Sequence, residues 1–182
     1  FGQVTSKNKI SDRKNILKTI QTAIDFVKDK DIGVVLKINM SKSTTFYKKM
    51  VTDFVKENIQ ETLWNKITLL LGNFTIEELK MLYRSDKISC FLSGTRAEGW
   101  GLPFIEAASC GLPIIATNYS SYKEFLEDDF LKVEYDLVVF DSDIRFVDLD
   151  ASPKWAEFRA NDMLKNLGLF FKNEKLYIDI AK

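Results

Sequence analysis

The stretch GTRAEGWGLPFIEAASCGLP, residues 94–113, holds two carboxylates, Glu98 and Glu106, spaced E-x7-E around Gly99, Trp100 and Gly101. Such residues serve a phosphate-cradling loop, a pair of catalytic acids, or a loop that merely enters a buried helix. Gly99 and Gly101 open backbone conformations closed to other residues and let a ligand approach the main chain. Pro103 suits the first turn of a helix running through FIEAASC. Backbone amides around Gly101 and Leu102 then stand at a helix N-terminus, where unpaired N–H groups and the helix dipole favour an anion. Glu106 falls about one turn inside that helix, and Glu98 lies in the loop before it. Carboxylates so placed are poor partners for phosphate and good acceptors for paired hydroxyls. The ligand this combination asks for carries phosphate in the middle and hydroxylated rings on both sides, as a nucleotide-sugar does.

Competing chemistries fare worse. GWGLPF supplies G-x-G but puts Phe104 where a dinucleotide fingerprint needs a third glycine for close helix packing, and no Walker lysine follows. A glycoside-hydrolase acid pair leaves the anion-binding helix without a purpose. Two solvated acids beside a loop remain the plain alternative. The 182 residues contain no histidine, which excludes Ser-His-Asp and Cys-His catalysis and imidazole-bound zinc within them. The two cysteines, Cys90 and Cys110, sit in apolar contexts and read as packing residues of a reducing compartment. The segment DSD, residues 141–143, reads as a turn rather than a metal site. Lys plus Arg equals Asp plus Glu at 26 each, so net charge provides no footprint for nucleic acid. No run reaches the roughly 18 apolar residues of a membrane span.

The elements that must position the loop are legible as apolar periods. FGQVTS (1–6), GVVLKI (33–38), ITLLL (67–71), ISCFLS (88–93) and PIIAT (113–117) are strand-length runs; the last four lack the polar alternation of a half-exposed strand. Between them lie helical stripes: Ile16, Leu17, Ile20, Ala23, Ile24 and Val27, then Phe46, Met50, Val51, Phe54 and Val55. TIEE (75–78) is a capping box, and SYKE (121–124) repeats it. LKVEYDLVVF (131–140) reads as one or two late strands, and residues 152–171 as a helix begun by Ser152 and Pro153. Strand–helix alternation predicts a doubly wound, Rossmann-like α/β fold with a parallel sheet, as a single domain over 1–182. Ligands of such sheets bind beyond the carboxyl ends of the strands. That edge collects SKNKISDRKN, GNFT, GTRAEGWG and NYSS. On it, Trp100 fits either stacking on a sugar or anchoring the loop. Asn73 and Phe74 fit either contact with a base or cap and core roles, and Arg13 and Lys14 are either phosphate cations or merely exposed.

EGWGLPFIEAASCGLPIIAT resembles the signature of the group 1 (family 4) retaining glycosyltransferases of GT-B fold, densely over Ile88–Phe125 and more loosely from Phe1 to about Phe171. DRKN (12–15) resembles the family's basic motif, and WAE (155–157) a tryptophan–acid segment near the domain's end. The resemblance implies that Glu98 contacts hydroxyls of the transferred sugar as the catalytic positioning residue, and that Glu106 holds the ribose. It implies that the loop Gly99, Trp100, Gly101, Leu102 binds the diphosphate and that Lys14, with Arg13, neutralises it. No metal or cofactor is expected, the nucleotide-diphosphate sugar being a substrate. The chain then reads as the C-terminal, donor-binding half of a longer protein. An N-terminal domain would complete the site for an unknown acceptor glycan, lipid or protein, and the isolated half would bind donor but transfer little. A cytoplasmic location is expected, with peripheral membrane association left open. A nucleotide-sugar epimerase or phosphorylase of the same architecture, or a non-catalytic binding domain, are the alternatives. Two departures stand out: Ser120 and Ser121 occupy the place of a glycine pair, and the second phosphate cation has no clean match upstream of Lys14.

Overall fold

The computed structural model describes residues 12–39, 45–139 and 153–181. The first helix, α1 (Ile16–Val27), buries the whole expected stripe from Ile16 to Val27. Its start is held by Asp12, whose carboxylate accepts the Ile16 amide at 2.6 Å. This satisfies one of the amides that a helix N-terminus leaves unpaired. Strand β1 (Val34–Ile38) pairs in parallel with β2 (Ile67–Leu71), Val34 opposite Ile67. Helix α2 (Thr45–Asn58) contributes Val51 and Val55 to the same core. A 3-10 turn at Glu61–Lys66 leads into β2, and the Trp64 indole there donates to the Ile59 carbonyl at 3.0 Å.

The second cluster contains the candidate loop. Helix α3 (Ile76–Tyr83) opens on the expected capping box: the Glu78 amide donates to Thr75 Oγ1 at 3.2 Å, and the Thr75 amide to Glu78 Oε2 at 2.7 Å. Strands β3 (Phe91–Ser93), β4 (Ile114–Thr117) and β5 (Leu131–Val133) form a parallel ladder in that order. Helix α4 (Leu102–Ser109) joins β3 to β4, and the short α5 (Lys123–Leu126) joins β4 to β5. Every residue of β4 is buried, as a strand covered on both faces requires. A third cluster packs Ile115 and Val133 beneath Met163, Leu167 and Phe170 of helix α6 (Ala160–Lys172). The last helix, α7 (Glu174–Ala181), follows at once. The architecture is mixed α/β with parallel ladders, as the strand–helix alternation predicts.

Three expectations are corrected and one open alternative is resolved. Residues 152–171 are not one helix: β6 (Tyr135–Val139) and β7 (Lys154–Phe158) form an antiparallel pair, Tyr135 opposite Phe158, and α6 begins only at Ala160. A strand wins because its period of two puts Trp155 and Glu157 on one face and Ala156 and Phe158 on the other, with three of the four buried. Arg159 stays extended between strand and helix. SYKE makes no capping box, since α5 has no side-chain cap and the Ser121 hydroxyl is used on the Glu98 carbonyl. Residues 88–90 precede β3 rather than belong to it. The run 131–139 resolves into two strands, β5 and β6, broken at Glu134. The expected strand at 1–6, Ser152 and the DSD segment lie outside the described residues.

Candidate functional site

Two segments far apart in sequence meet at the carboxyl end of β3. Close approach there depends on Gly94: a Cβ would lie 2.4 Å from both Phe158 Cε1 and Thr19 Oγ1. The loop after it folds against the turn before α1. The Arg96 amide donates to the Arg13 carbonyl at 2.9 Å, and Arg96 Nη1 to the Asp12 carbonyl at 3.0 Å. Asn15 closes that turn in the left-handed region, φ 50°, which asparagine tolerates better than most residues.

Glu98 sits at the junction. Its carboxylate accepts from Lys14 Nζ at 2.6 Å, Thr95 Oγ1 at 2.9 Å and Arg13 Nη1 at 3.2 Å. Arg13 also donates to the Ala97 carbonyl. The Glu98 side chain is only 7% exposed against 47% for Arg13, so the acid is enclosed while a cation stays open to the surface. Its backbone is held from the other side. The Glu98 amide donates to Ser120 Oγ at 2.7 Å, and the Ser120 and Ser121 hydroxyls donate to the Glu98 carbonyl at 2.8 and 3.3 Å.

A second layer supports the junction. Glu157 on β7 accepts from Lys18 at 2.6 Å, Arg96 Nε at 2.7 Å and Asn15 at 3.1 Å. The Arg96 guanidinium also lies over the Trp155 ring at 4.8 Å, within cation–π range. Burial alone would raise the Glu157 carboxyl, but the hydrogen bonds from Lys18 and Asn15 and the Arg96 charge leave it below its usual range. Asp12 goes the other way: burial pushes it up, and the Ile16 amide and Arg96 only partly compensate.

Helix α4 starts as the glycine–proline pattern predicts. Gly101 is its cap with φ 86°, and Pro103 sits in the first turn. A Cβ at Gly101 would come within 3.2 Å of Tyr122 and 3.3 Å of Phe104, so backbone angle and space both call for glycine. Phe104 is buried and stacks on Tyr122 at 3.9 Å between centroids and 7° between planes. That stack seats the helix start over β4. Gly99 differs, since a Cβ there meets nothing within 4 Å. Trp100 and Leu102 are exposed, with Phe125 6.2 Å from Trp100. Trp100 therefore rests partly on a neighbour while leaving a face open.

The structure brings Arg13, Lys14 and Glu98 together, and places Gly99, Trp100, Gly101 and Leu102 directly after them. Glu106 has a different neighbour. It lies against Tyr83 at the end of α3; burial pushes its carboxyl up, and the hydrogen bond with Tyr83 pulls the other way. Sequence reasoning missed Thr95 and Arg96, and gave Asp12 and Glu157 no role beyond a motif match. The signal available was TR immediately before AEGWG, an uncommitted cation beside a motif acid. Beyond the loop, buried Lys37 donates to Asn39 Oδ1 at 2.7 Å and to the Gly72 carbonyl at 2.6 Å, and lies 4.3 Å over Phe74, so Phe74 has a packing role. Burial pulls the Lys37 amine below its usual range.

A cavity of about 350 Å³ lies between α1, β1 and β3, lined by Ile16, Ile20, Ala23, Leu36 and Leu92 with Lys14 at one end. Its walls are mainly apolar, so the polar chemistry resides in the loop above it. Among the described residues no three Cys, Asp or Glu side chains converge as a metal-ligand set, and no helix is long and apolar enough to cross a membrane.

A family model described as glycosyl transferases group 1 matches residues 4–136. The O-antigen chain mannosyltransferase B of Escherichia coli is 38% identical over 58 residues, which is 32% of this chain and 15% of that protein. Among solved structures, the C-terminal domain of LpcC, a glycosyl transferase group 1 family protein from Francisella tularensis, superposes with a TM-score of 0.60 at 21% identity, over 100% of this chain and 78% of that one. WaaG, a glycosyltransferase involved in lipopolysaccharide biosynthesis, gives 0.59 at 13% identity over 99% of this chain and 40% of its own. Anabaena HepE, solved in complex with UDP, gives 0.55 at 14% identity over 93% and 40%. At these identities the superpositions speak for the fold, and the chain spans well under half of WaaG and HepE.

Proposed function

The chain belongs to the group 1 glycosyl transferases, and from that premise we propose that it is the donor-binding half of a retaining enzyme that moves a sugar from a nucleotide-diphosphate sugar to an acceptor. The observation that carries this reading is the grip of Arg13 and Lys14 on the enclosed Glu98 carboxylate, directly before the start of α4. Fixed cations and a helix N-terminus at one point offer positive potential to a diphosphate without a bound metal. Lys14 and Arg13 face the phosphates, amides from Gly99 to Leu102 cradle them, and Trp100 covers the loop. Glu98 takes hydroxyls of the sugar and Glu106 those of the ribose.

In the reaction proposed, the bond between the anomeric carbon and the phosphate oxygen breaks, and a bond to the acceptor oxygen forms on the same face. The acceptor's proton passes to the departing phosphate oxygen. Glu98 orients the sugar and makes no covalent bond to it. An N-terminal domain supplies the acceptor site, so the isolated half binds donor and transfers little. A nucleotide-sugar epimerase, a phosphorylase or a non-catalytic domain would share the binding residues but differ in product.

The slow hydrolysis of UDP-glucose or GDP-mannose by the full-length protein, followed by proton NMR, tests the retaining reading against the epimerase one. Retention releases the sugar first as the donor's own anomer, at a rate unaffected by EDTA. Release of the opposite anomer first, or dependence on a divalent cation, would overturn the mechanism. An epimerised sugar would replace it with the epimerase reading.

A further inference from the structure

Ser120 adopts φ 93°, a left-handed conformation that L side chains rarely take and that glycine takes freely. A residue held there against its preference needs compensation from its surroundings. The compensation is visible: its hydroxyl accepts the Glu98 amide at 2.7 Å and donates to the Glu98 carbonyl at 2.8 Å. One side chain thus closes a two-way bridge to a single residue 22 positions away in sequence, across the gap between the turn after β4 and the loop after β3. Ser121 adds a third bond to the same carbonyl at 3.3 Å. The turn is itself anchored, because Tyr122 next to it is buried and donates its hydroxyl to the Thr117 carbonyl at the end of β4.

We infer that Ser120 is a positioning residue of the donor site: its bridge to the Glu98 backbone fixes where the Glu98 carboxylate stands between Lys14 and Arg13. The inference rests on the donor reading above. Without the bridge, the Glu98 backbone keeps the longer Ser121 bond, while loop 95–97 stays tied through Arg96 to Arg13, Asp12, Ala156 and Glu157 and through the Ala97 carbonyl to Arg13. Sugar hydroxyls would then have to draw Glu98 from its cations with its backbone held by that longer bond in place of the two-way bridge. The bridge also occupies the Glu98 amide, which leaves the diphosphate to the amides from Gly99 onward. Ser120 therefore acts on recognition of the sugar and not on the nucleotide.

That separation makes a test. In the full-length protein, Ser120→Gly removes the bridge and relieves the backbone, while Ser120→Ala removes the bridge and keeps the strained φ. Calorimetric titration would use UDP-glucose, GDP-mannose and ADP-glucose, each beside its nucleoside diphosphate, with thermal unfolding measured in parallel. For whichever pair the wild type binds, Ser120→Gly is expected to weaken the nucleotide-sugar about tenfold, the scale of one lost hydrogen bond. The matching diphosphate should change by less than about twofold, on the same scale. The unfolding temperature of Ser120→Gly should equal or exceed the wild type's, and that of Ser120→Ala should fall. Equal loss of sugar-nucleotide and diphosphate affinity, or no loss of either, would overturn the inference with the donor site intact. If the wild type binds none of the six compounds, the donor reading itself fails and this inference with it.

Discussion

Replacing Glu157 with glutamine removes one charge from β7 while keeping the side chain's shape. Arg96, whose side chain is 12% exposed, then loses its carboxylate partner at 2.7 Å, and Lys18, 35% exposed, loses one at 2.6 Å. A hydrogen bond to a charged group contributes about 1.5–3 kcal/mol, and a glutamine oxygen recovers part of the Arg96 bond, so that contact should cost about 1.5 kcal/mol. The more exposed Lys18 pair adds about 0.5 kcal/mol, because solvent screens it. A total near 2 kcal/mol corresponds to a fall of about 4–8 °C in unfolding temperature for a chain of this size. Asp53→Asn, which breaks the exposed Lys49 pair at 2.9 Å, is the control and should cost less than about 0.5 kcal/mol. The effect also has a sign in pH. Glu157 titrates below its usual 4.5 when folded, so its stabilisation is present above that value and disappears as pH falls through the lowered folded one. The gap between wild type and Glu157→Gln should therefore narrow in acid, as thermal melts between pH 7 and pH 3 would show. A gap no larger than that of Asp53→Asn at pH 7, or one that widens in acid, would mean that Glu157 does not hold Arg96 and Lys18 by its charge.

Other outcomes follow from single contacts. Gly94→Ala forces a Cβ into the Phe158 ring and the Thr19 hydroxyl, so β7 must shift; a loss of about 1–3 kcal/mol by urea unfolding is expected. Glu106 is held above its usual carboxyl range, mainly by burial, which means its ionised form costs stability at neutral pH. Glu106→Gln should thus raise the unfolding temperature by a few degrees at pH 7 and not in acid, about 2–4 °C per kcal/mol relieved. A lower melting temperature at pH 7 would count against that burial.

Much of this architecture was legible because its signals are local. The stripe from Ile16 to Val27, the Thr75–Glu78 box and the Gly101–Pro103 start each depend on neighbours within a turn or two, and each appears as read. Glu98, Arg13 and Lys14 were also legible individually. What sequence could not reveal is what crosses between segments. Ser121 looked like a helix cap because its spacing to Glu124 fits one, yet its hydroxyl goes to Glu98, a nearer demand in space. KWAEF looked helical because the apolar period of the real helix, Met163, Leu167 and Phe170, lies just beyond it; only pairing with β6 makes it a strand. Arg96 carried no motif at all, and its importance appears only once Glu157 and Asp12 are placed on either side of it. Gly99 and Gly101 look equivalent in sequence, but only Gly101 is demanded by the fold.

The loop from Glu98 to Glu106 is proposed above to bind a nucleotide-sugar donor. Calorimetric titration of the full-length protein with UDP, GDP and ADP, with and without magnesium, and repeated on Glu106→Ala, tests it most directly. Saturable binding of one of the three is expected, unchanged when magnesium is withheld and weakened at least about tenfold by the substitution, the scale of losing paired ribose hydroxyls. Binding of none, or binding that Glu106→Ala leaves untouched, would contradict it.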